Sequence, residues 1–315
     1  MSALRRPIRT PFIAACLVLL SVLTFWKLSS NVPNKPYGSI AINEGPVDKA
    51  LVIASMKHEN TSWFYDELPE WRKHVYVVDE PTAELTVPLN KGRESMVYLS
   101  FIIDNYNKLP ANILFLHAQR YQWHNDDPDY DGLSVLRQFR IPYLQEKGYL
   151  NLRCVWVLGC PTEIRPFKDA VDPAQTQAHA GHFYKQAFEE LFPGRDVPEA
   201  VGVSCCAQFA ATKEKIQEQP VEYYERIRDW LLATPLEDSI SGRIVEYSWH
   251  MIFGQEPIHC PDANVCYCKM LGLCDLQCTS GACDGRYALP PFATLPVGWP
   301  ILGWHGEQRT LGVPG

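Results

Sequence analysis

The chain has 315 residues, 46% of them hydrophobic, and a formal net charge of -7 at pH 7. That length and apolar content suffice for one sizeable core. The acidic balance speaks against a broad nucleic-acid-binding face, which needs clustered Lys and Arg, and leaves room only for a local basic groove.

Phe12 to Trp26 is an uncharged apolar run preceded by Arg5, Arg6 and Arg9. It is short for a spanning helix of about 20 residues, but Pro11, Lys27 and Leu28 extend it toward the interfaces. Thr24-Phe25-Trp26-Lys27 lacks the small residues of a cleavage site, so residues 1–28 read as an uncleaved signal anchor. The arginines predict a cytosolic N-terminus and a lumenal domain. The alternative is a helix lying on a membrane surface. Residues 29–48 carry Asn, Pro, Gly and Ser without apolar periodicity and read as a linker. Residues 49–300 form the expected domain, with a Cys-rich segment at 260–283 and a tail at 301–315.

Leu51 to Ser55, His74 to Asp79 and Asn112 to His117 are short apolar runs that predict buried strands. Between the second and third, Met96, Val97, Leu99, Ser100, Ile103 and Tyr106 have helical spacing within Arg93 to Tyr106. Gln177 to Phe192, Val221 to Leu232 and Gly242 to Phe253 also read as helices. Strands alternating with helices predict an α/β, Rossmann-like domain with a mainly parallel sheet, flanking helices and the Cys-rich C-terminal extension. Chemistry in such sheets gathers beyond the carboxyl ends of the strands, where Asp79 and His117 fall.

Five constellations could carry chemistry. His117, His124, Asp126, Asp127, Asp129 and Asp131 lie with three aromatics in the fifteen residues after the third strand. They suit acid/base work or a divalent metal, and equally a polar loop with Asp-Pro turn chemistry. Asp79-Glu80 ends the second strand, as a ribose-binding acid would, or begins an ordinary turn. Lys91 and Arg93, beside a helix start at Asn90-Lys91-Gly92-Arg93-Glu94, could hold a phosphate or carboxylate; otherwise Glu94 simply complements the helix dipole. Arg243, Glu246 and His250 share one face of a helix, either lining a cleft or solvated. Finally, Cys260, Cys266, Cys268, Cys274, Cys278 and Cys283 match no zinc pattern, and disulfides are the favoured reading over a structural metal. Cys205 and Cys206 are adjacent, which argues for buried thiols rather than a bond between them. Eleven cysteines and the sequon Asn60-Thr61-Ser62 suit a secretory compartment.

Several segments jointly resemble a known family: Asn90-Lys91-Gly92-Arg93-Glu94 with Tyr98-Leu99; Asn107 to Pro110; Phe115 to Ala118; Trp123-His124-Asn125-Asp126; Gly148 to Cys154; Glu246 to His250; and Cys266-Tyr267-Cys268 with Gly298-Trp299-Pro300. Over about residues 50 to 300 the chain resembles a fungal family catalogued as a domain of unknown function, which includes the arginine-containing cyclodipeptide synthases and looks distantly similar to Rossmann-like nucleotide-sugar glycosyltransferases. The resemblance implies a diketopiperazine made from arginyl-tRNA and a second aminoacyl-tRNA. His117, His124, Asp126, Asp127 and Glu246 would be its catalytic groups. Asp79, Glu80, Lys91, Arg93, Asp129, Asp131, Arg243 and His250 would bind substrate. Tyr130 stands where the synthases' acidic motif has Glu, with Asp129 and Asp131 nearest. No organic cofactor is implied. The anchor, the sequon and the cysteines instead favour the alternative, a type II membrane glycosyltransferase; a non-catalytic lumenal binding domain is a third reading.

Overall fold

The computed structural model describes residues 48–169, 179–291 and 294–310, all within one compact unit, Val47–Gly315. The expected anchor and nearly all of the linker lie outside the described residues. No helix among the described residues is long and apolar enough to cross a membrane.

The three expected strands form: β1 (Lys49–Ser55), β2 (Arg72–Val77) and β3 (Asn112–His117). They pair in parallel, with β1 between the other two. Beyond β3 the sheet departs from expectation. Short β4 (Tyr149–Asn151) and β6 (Phe209–Thr212) complete a five-stranded sheet of order β2-β1-β3-β6-β4. β6 runs antiparallel to both β3 and β4, so the sheet is mixed rather than mainly parallel. At three and four residues, β4 and β6 are too short to show a strand period, and Phe209-Ala-Ala-Thr has no branched-chain enrichment to announce it. A separate two-stranded parallel pair joins β5 (Gly202–Val203) to β7 (Ile258–His259).

The central strands β1 and β3 are apolar through their middles because both faces of the sheet are covered, whereas edge strand β2 opens with Arg72-Lys73-His74. Val52, Ile113, Phe115 and Phe209 point into one cluster with α1 (Glu94–Asn105), α2 (Ala180–Leu191), α3 (Val221–Ala233) and α4 (Asp238–Glu246). Leu51, Ile53, Leu114, Leu116 and Ala210 point the other way, toward α5 (Gly132–Gln138), α6 (Ile141–Lys147) and the Cys-rich segment. Six residues of α1, from Met96 through Ile102, are wholly buried hydrophobics, so α1 is a central helix rather than an amphipathic surface one. Each fully buried side chain of this size contributes about 1.5–3 kcal/mol.

The helix expected over Gly242 to Phe253 is two helices. α4 ends at Glu246, and a short α7 (Trp249–Ile252) follows. The break is local: the Ser248 hydroxyl turns back to donate to the Ile244 carbonyl, 2.7 Å away, and also meets the Tyr184 hydroxyl at 2.9 Å. Such back-bonding bends helices.

Five disulfides brace the fold. Cys154–Cys266 and Cys160–Cys260 tie the Cys-rich segment to the chain after β4. Cys268–Cys274 and Cys278–Cys283 close small loops within it. Cys205 and Cys206, expected as free buried thiols, are bonded to each other. The backbone accommodates the bond with positive φ at Cys206 (88°) and Ala207 (47°), a conformation that adjacency in sequence does not advertise.

Candidate functional site

In the order β2-β1-β3, the two neighbours of β1 are reached by crossovers on opposite sides, and a crevice opens beyond the carboxyl ends where the order switches. A cleft of about 660 Å³ lies there. Ser55 ends β1 and Met56 follows it, Val78 follows β2, and His117 ends β3 with Ala118 and Gln119 after it; all line the cleft. Arg93 and Glu94 at the start of α1, Asp238 at the start of α4, and Glu59 supply its charges. Tyr121, Trp123 and Trp299 supply aromatic surface.

The imidazoles of His117 and His124 are fixed in known tautomers. His117 Nε2 lies 2.9 Å from the Cys206 carbonyl, which can only accept, so Nε2 carries the proton and Nδ1 the lone pair. Gln122 donates its amide to the Gln119 carbonyl at 2.9 Å, which turns its Oε1 toward His124 Nδ1 at 3.1 Å. His124 therefore donates from Nδ1 and keeps its lone pair on Nε2. Burial pushes the pKa of His117 below the usual histidine value. Burial pushes His124 well below, helped by His117 and by Arg153, Arg93 and Arg243. Both rings are neutral bases at neutral pH.

Two carboxyls flank them. Burial raises Glu94 to about 7, with Asp238 adding to the effect and Arg93 opposing it. Burial, then the charge of Glu94, also raises Glu246. Glu246 Oε1 accepts the Cys206 N–H at 2.6 Å, so the peptide groups of Cys206 connect Glu246 to His117. A proton-holding acid beside neutral imidazoles is the pairing general acid–base chemistry requires.

Arg93 is placed with strain. Its φ of 53° is rare for a residue with a side chain, and its N–H donates to Asp238 Oδ1 at 3.2 Å. Gly242 on α4 permits this approach: an added Cβ would come 3.0 Å from Arg93 Cγ. Lys91, the other expected anion ligand, is spent on the Thr234 carbonyl.

The structure does not bring the four aspartates of the loop into the cleft. Buried Asp126 accepts from Cys154 N (2.6 Å), Val155 N (3.0 Å) and the Tyr267 hydroxyl (2.5 Å). Asp127 Oδ1 accepts from Asp129 N and Asp131 N in an Asx turn. Asp129 pairs with Arg309. Asp131 receives a two-bond clamp from Arg120, 2.9 Å each, and caps α5 through Leu133 N. Among the described residues these groups converge on no common ligand point, so the metal reading of this loop finds no support.

Asp79 and Glu80 are likewise engaged locally. Asp79 accepts from Lys57 N at 2.7 Å, and Glu80 pairs with Lys57. Arg243 stays near Glu246, with Nε 4.0 Å from Oε2. His250 lies beyond the helix break, wholly buried, with Nε2 on the Pro257 carbonyl at 3.0 Å. Asn60 is exposed and its Oδ1 accepts from Ser62 N. Sequence reasoning missed the cleft roles of Glu94, Glu59, Gln119, Gln122, Asp238 and Trp299. From the sequence Glu94 reads only as a complement to the helix dipole, and nothing in its neighbours marks a buried carboxyl.

No curated protein and no solved structure matches the chain. A family model does match, over residues 51–269, which span the sheet, the cleft-lining segments through Asp238, and the first three cysteines of the Cys-rich segment. The chain thus belongs to the family described as "Protein of unknown function (DUF3431)".

Proposed function

We propose that this domain is a glycosyltransferase of the secretory pathway, held at the membrane by its N-terminal segment and moving a sugar from a nucleotide-sugar donor to a hydroxyl acceptor. The five disulfides carry this choice, because they suit an oxidising lumen, where charged tRNA is absent. In the reaction, the acceptor oxygen attacks the anomeric carbon as the bond from that carbon to the phosphate oxygen breaks. The acceptor proton passes to the lone pair of His117 Nδ1 or His124 Nε2, and the nucleoside diphosphate leaves with the bonding electrons. Arg93 sits where it can offset charge on the leaving group. Tyr121, Trp123 and Trp299 present faces on which sugar rings stack.

One observation favours the second reading, a cyclodipeptide synthase using arginyl-tRNA. Glu59, Glu94 and Asp238 make the cleft suited to a guanidinium, which carboxylates hold through paired hydrogen bonds. The deciding experiment incubates the purified domain with a panel of nucleotide sugars, with and without Mn²⁺, and separately with arginyl-tRNA plus other charged tRNAs. Release of nucleoside diphosphate with a glycosylated acceptor supports the first reading. An arginine-containing cyclic dipeptide, with no nucleotide-sugar turnover, would replace it with the second.

A further inference from the structure

Cys205 Sγ, Cys206 Sγ and a carboxylate oxygen of Glu246 lie within 4.8 Å of one another, the one such convergence of metal-ligating groups among the described residues. We propose that the Cys205–Cys206 disulfide is the oxidised form of a site for a thiophilic divalent cation of the Zn²⁺ class, held by the two thiolates and Glu246 once the bond is opened. While the bond stands, the sulfurs have no charge to offer, and the site is closed. A phosphine reductant opens it in balance: phosphorus gives two electrons to the sulfurs, takes the oxygen of one water, and that water's two protons leave two thiols. Binding the cation then displaces the thiol protons.

Three features of the structure support the site. Both cysteines are about 4% exposed, so a cation there would be shielded from competing water. Charge balances: two thiolates and one carboxylate face a divalent cation and the guanidinium of Arg153, whose Nη1 lies 3.2 Å from Cys206 Sγ. A buried cluster is tolerable only when its charges cancel in this way. Glu246 is also already in place, because its Oε1 holds the Cys206 N–H at 2.6 Å in the oxidised form. Three protein ligands leave a fourth tetrahedral position open. The cation would adjoin the Cys206 carbonyl that orients His117, which ties the state of the sulfurs to the cleft. The proposal does not depend on which reaction the cleft performs.

The test treats the intact chain with a phosphine, removes it without air, and titrates Zn²⁺ by calorimetry with native mass spectrometry. Differential alkylation records which sulfurs are free, and near-ultraviolet circular dichroism records the fold. We expect one Zn²⁺ per chain after reduction and none before. Binding should vanish in Cys205→Ser/Cys206→Ser, persist in Cys268→Ser/Cys274→Ser, and weaken about 10- to 100-fold in Glu246→Gln, the scale on which even outer-shell partners act. The proposal is overturned by equal binding in Cys205→Ser/Cys206→Ser or by full affinity in Glu246→Gln. Opened sulfurs that take up no Zn²⁺, or a bond that opens only with loss of the tertiary signal, overturn it too.

Discussion

The imidazoles of His117 and His124 stack face to face, with ring centroids 4.7 Å apart and planes within 7° of parallel. Burial keeps both rings neutral, and for His124 the facing His117 ring adds to the effect. The base limb of the pH–rate profile should therefore be centred below pH 6.5, the ordinary histidine value. Replacing both rings, as His117→Gln/His124→Gln, should lower kcat about 100- to 10,000-fold. A limb centred at or above pH 6.5, or turnover intact in the double variant, would remove the pair from the chemistry.

Glu94 makes the opposite prediction for stability. Its carboxyl stays protonated in the folded state to about pH 7, against a reference value of 4.5. The raised value contributes stability fully below pH 4.5, and that contribution is lost as pH rises through 7. Glu94→Gln removes this dependence. Its stability relative to the parent should climb between pH 4.5 and 8, by at most on the order of 3 kcal/mol. Urea denaturation at both pH values checks it, and parallel curves for the two proteins would show that the carboxyl is ionised in the fold.

The Asp126 carboxylate is engaged on both oxygens within the fold. Its three hydrogen bonds join the loop after β3 to the chain after β4 and to Tyr267. Asp126→Ala should cost about 3 kcal/mol or more, since it leaves buried donors without partners. Asp127→Asn keeps the turn's acceptor and should leave turnover within a few-fold. A large loss of kcat in a fully folded Asp127→Asn protein would return the aspartates to the active site.

Cys154–Cys266 closes a loop with a sequence separation of 112. Replacing both cysteines by Ser should cost about 2–5 kcal/mol. Calorimetric melting of the double variant against the parent measures this; an unchanged transition would mean that the unfolded chain is not restrained by the bond.

Asn60 stands exposed at the first residue of its sequon, just before the helix Ser62–Glu67. Expression through a secretory pathway should add a glycan to it, seen as a mass shift that a peptide N-glycosidase removes and Asn60→Gln prevents. A full-length product that never carries the glycan would count against the lumenal placement.

How much of this was legible in the sequence follows from the length scale of each signal. β1, β2 and β3 and helices α1, α2 and α3 were readable because apolar periodicity extends over six residues or more. β4 and β6 were not, because pairing with neighbours rather than any local pattern makes them strands. In the site, the position of His117 and His124 at and after the end of β3 already placed them near the strand ends, where both line the cleft. Their aspartate neighbours bond to nearby backbone and arginines, which a sequence does not show, because it does not say whether a carboxylate meets a substrate or its own backbone. His250 shared a helical face with Glu246 on paper only, since one Ser248 hydrogen bond divides the helix between them.

The reversed direction of β6 decides which part of the chain meets the crevice. Parallel strands deliver their last residues to that rim, but β6 delivers its first: Phe209 pairs with Phe115, and Thr212 lies far down beside Asn112. The residues just ahead of β6, Cys205 to Gln208, consequently arrive at the same edge as His117. Had the strand run the other way, the segment after Thr212 would stand there, and neither the bonded sulfurs nor the carbonyl that orients the imidazole would be within reach.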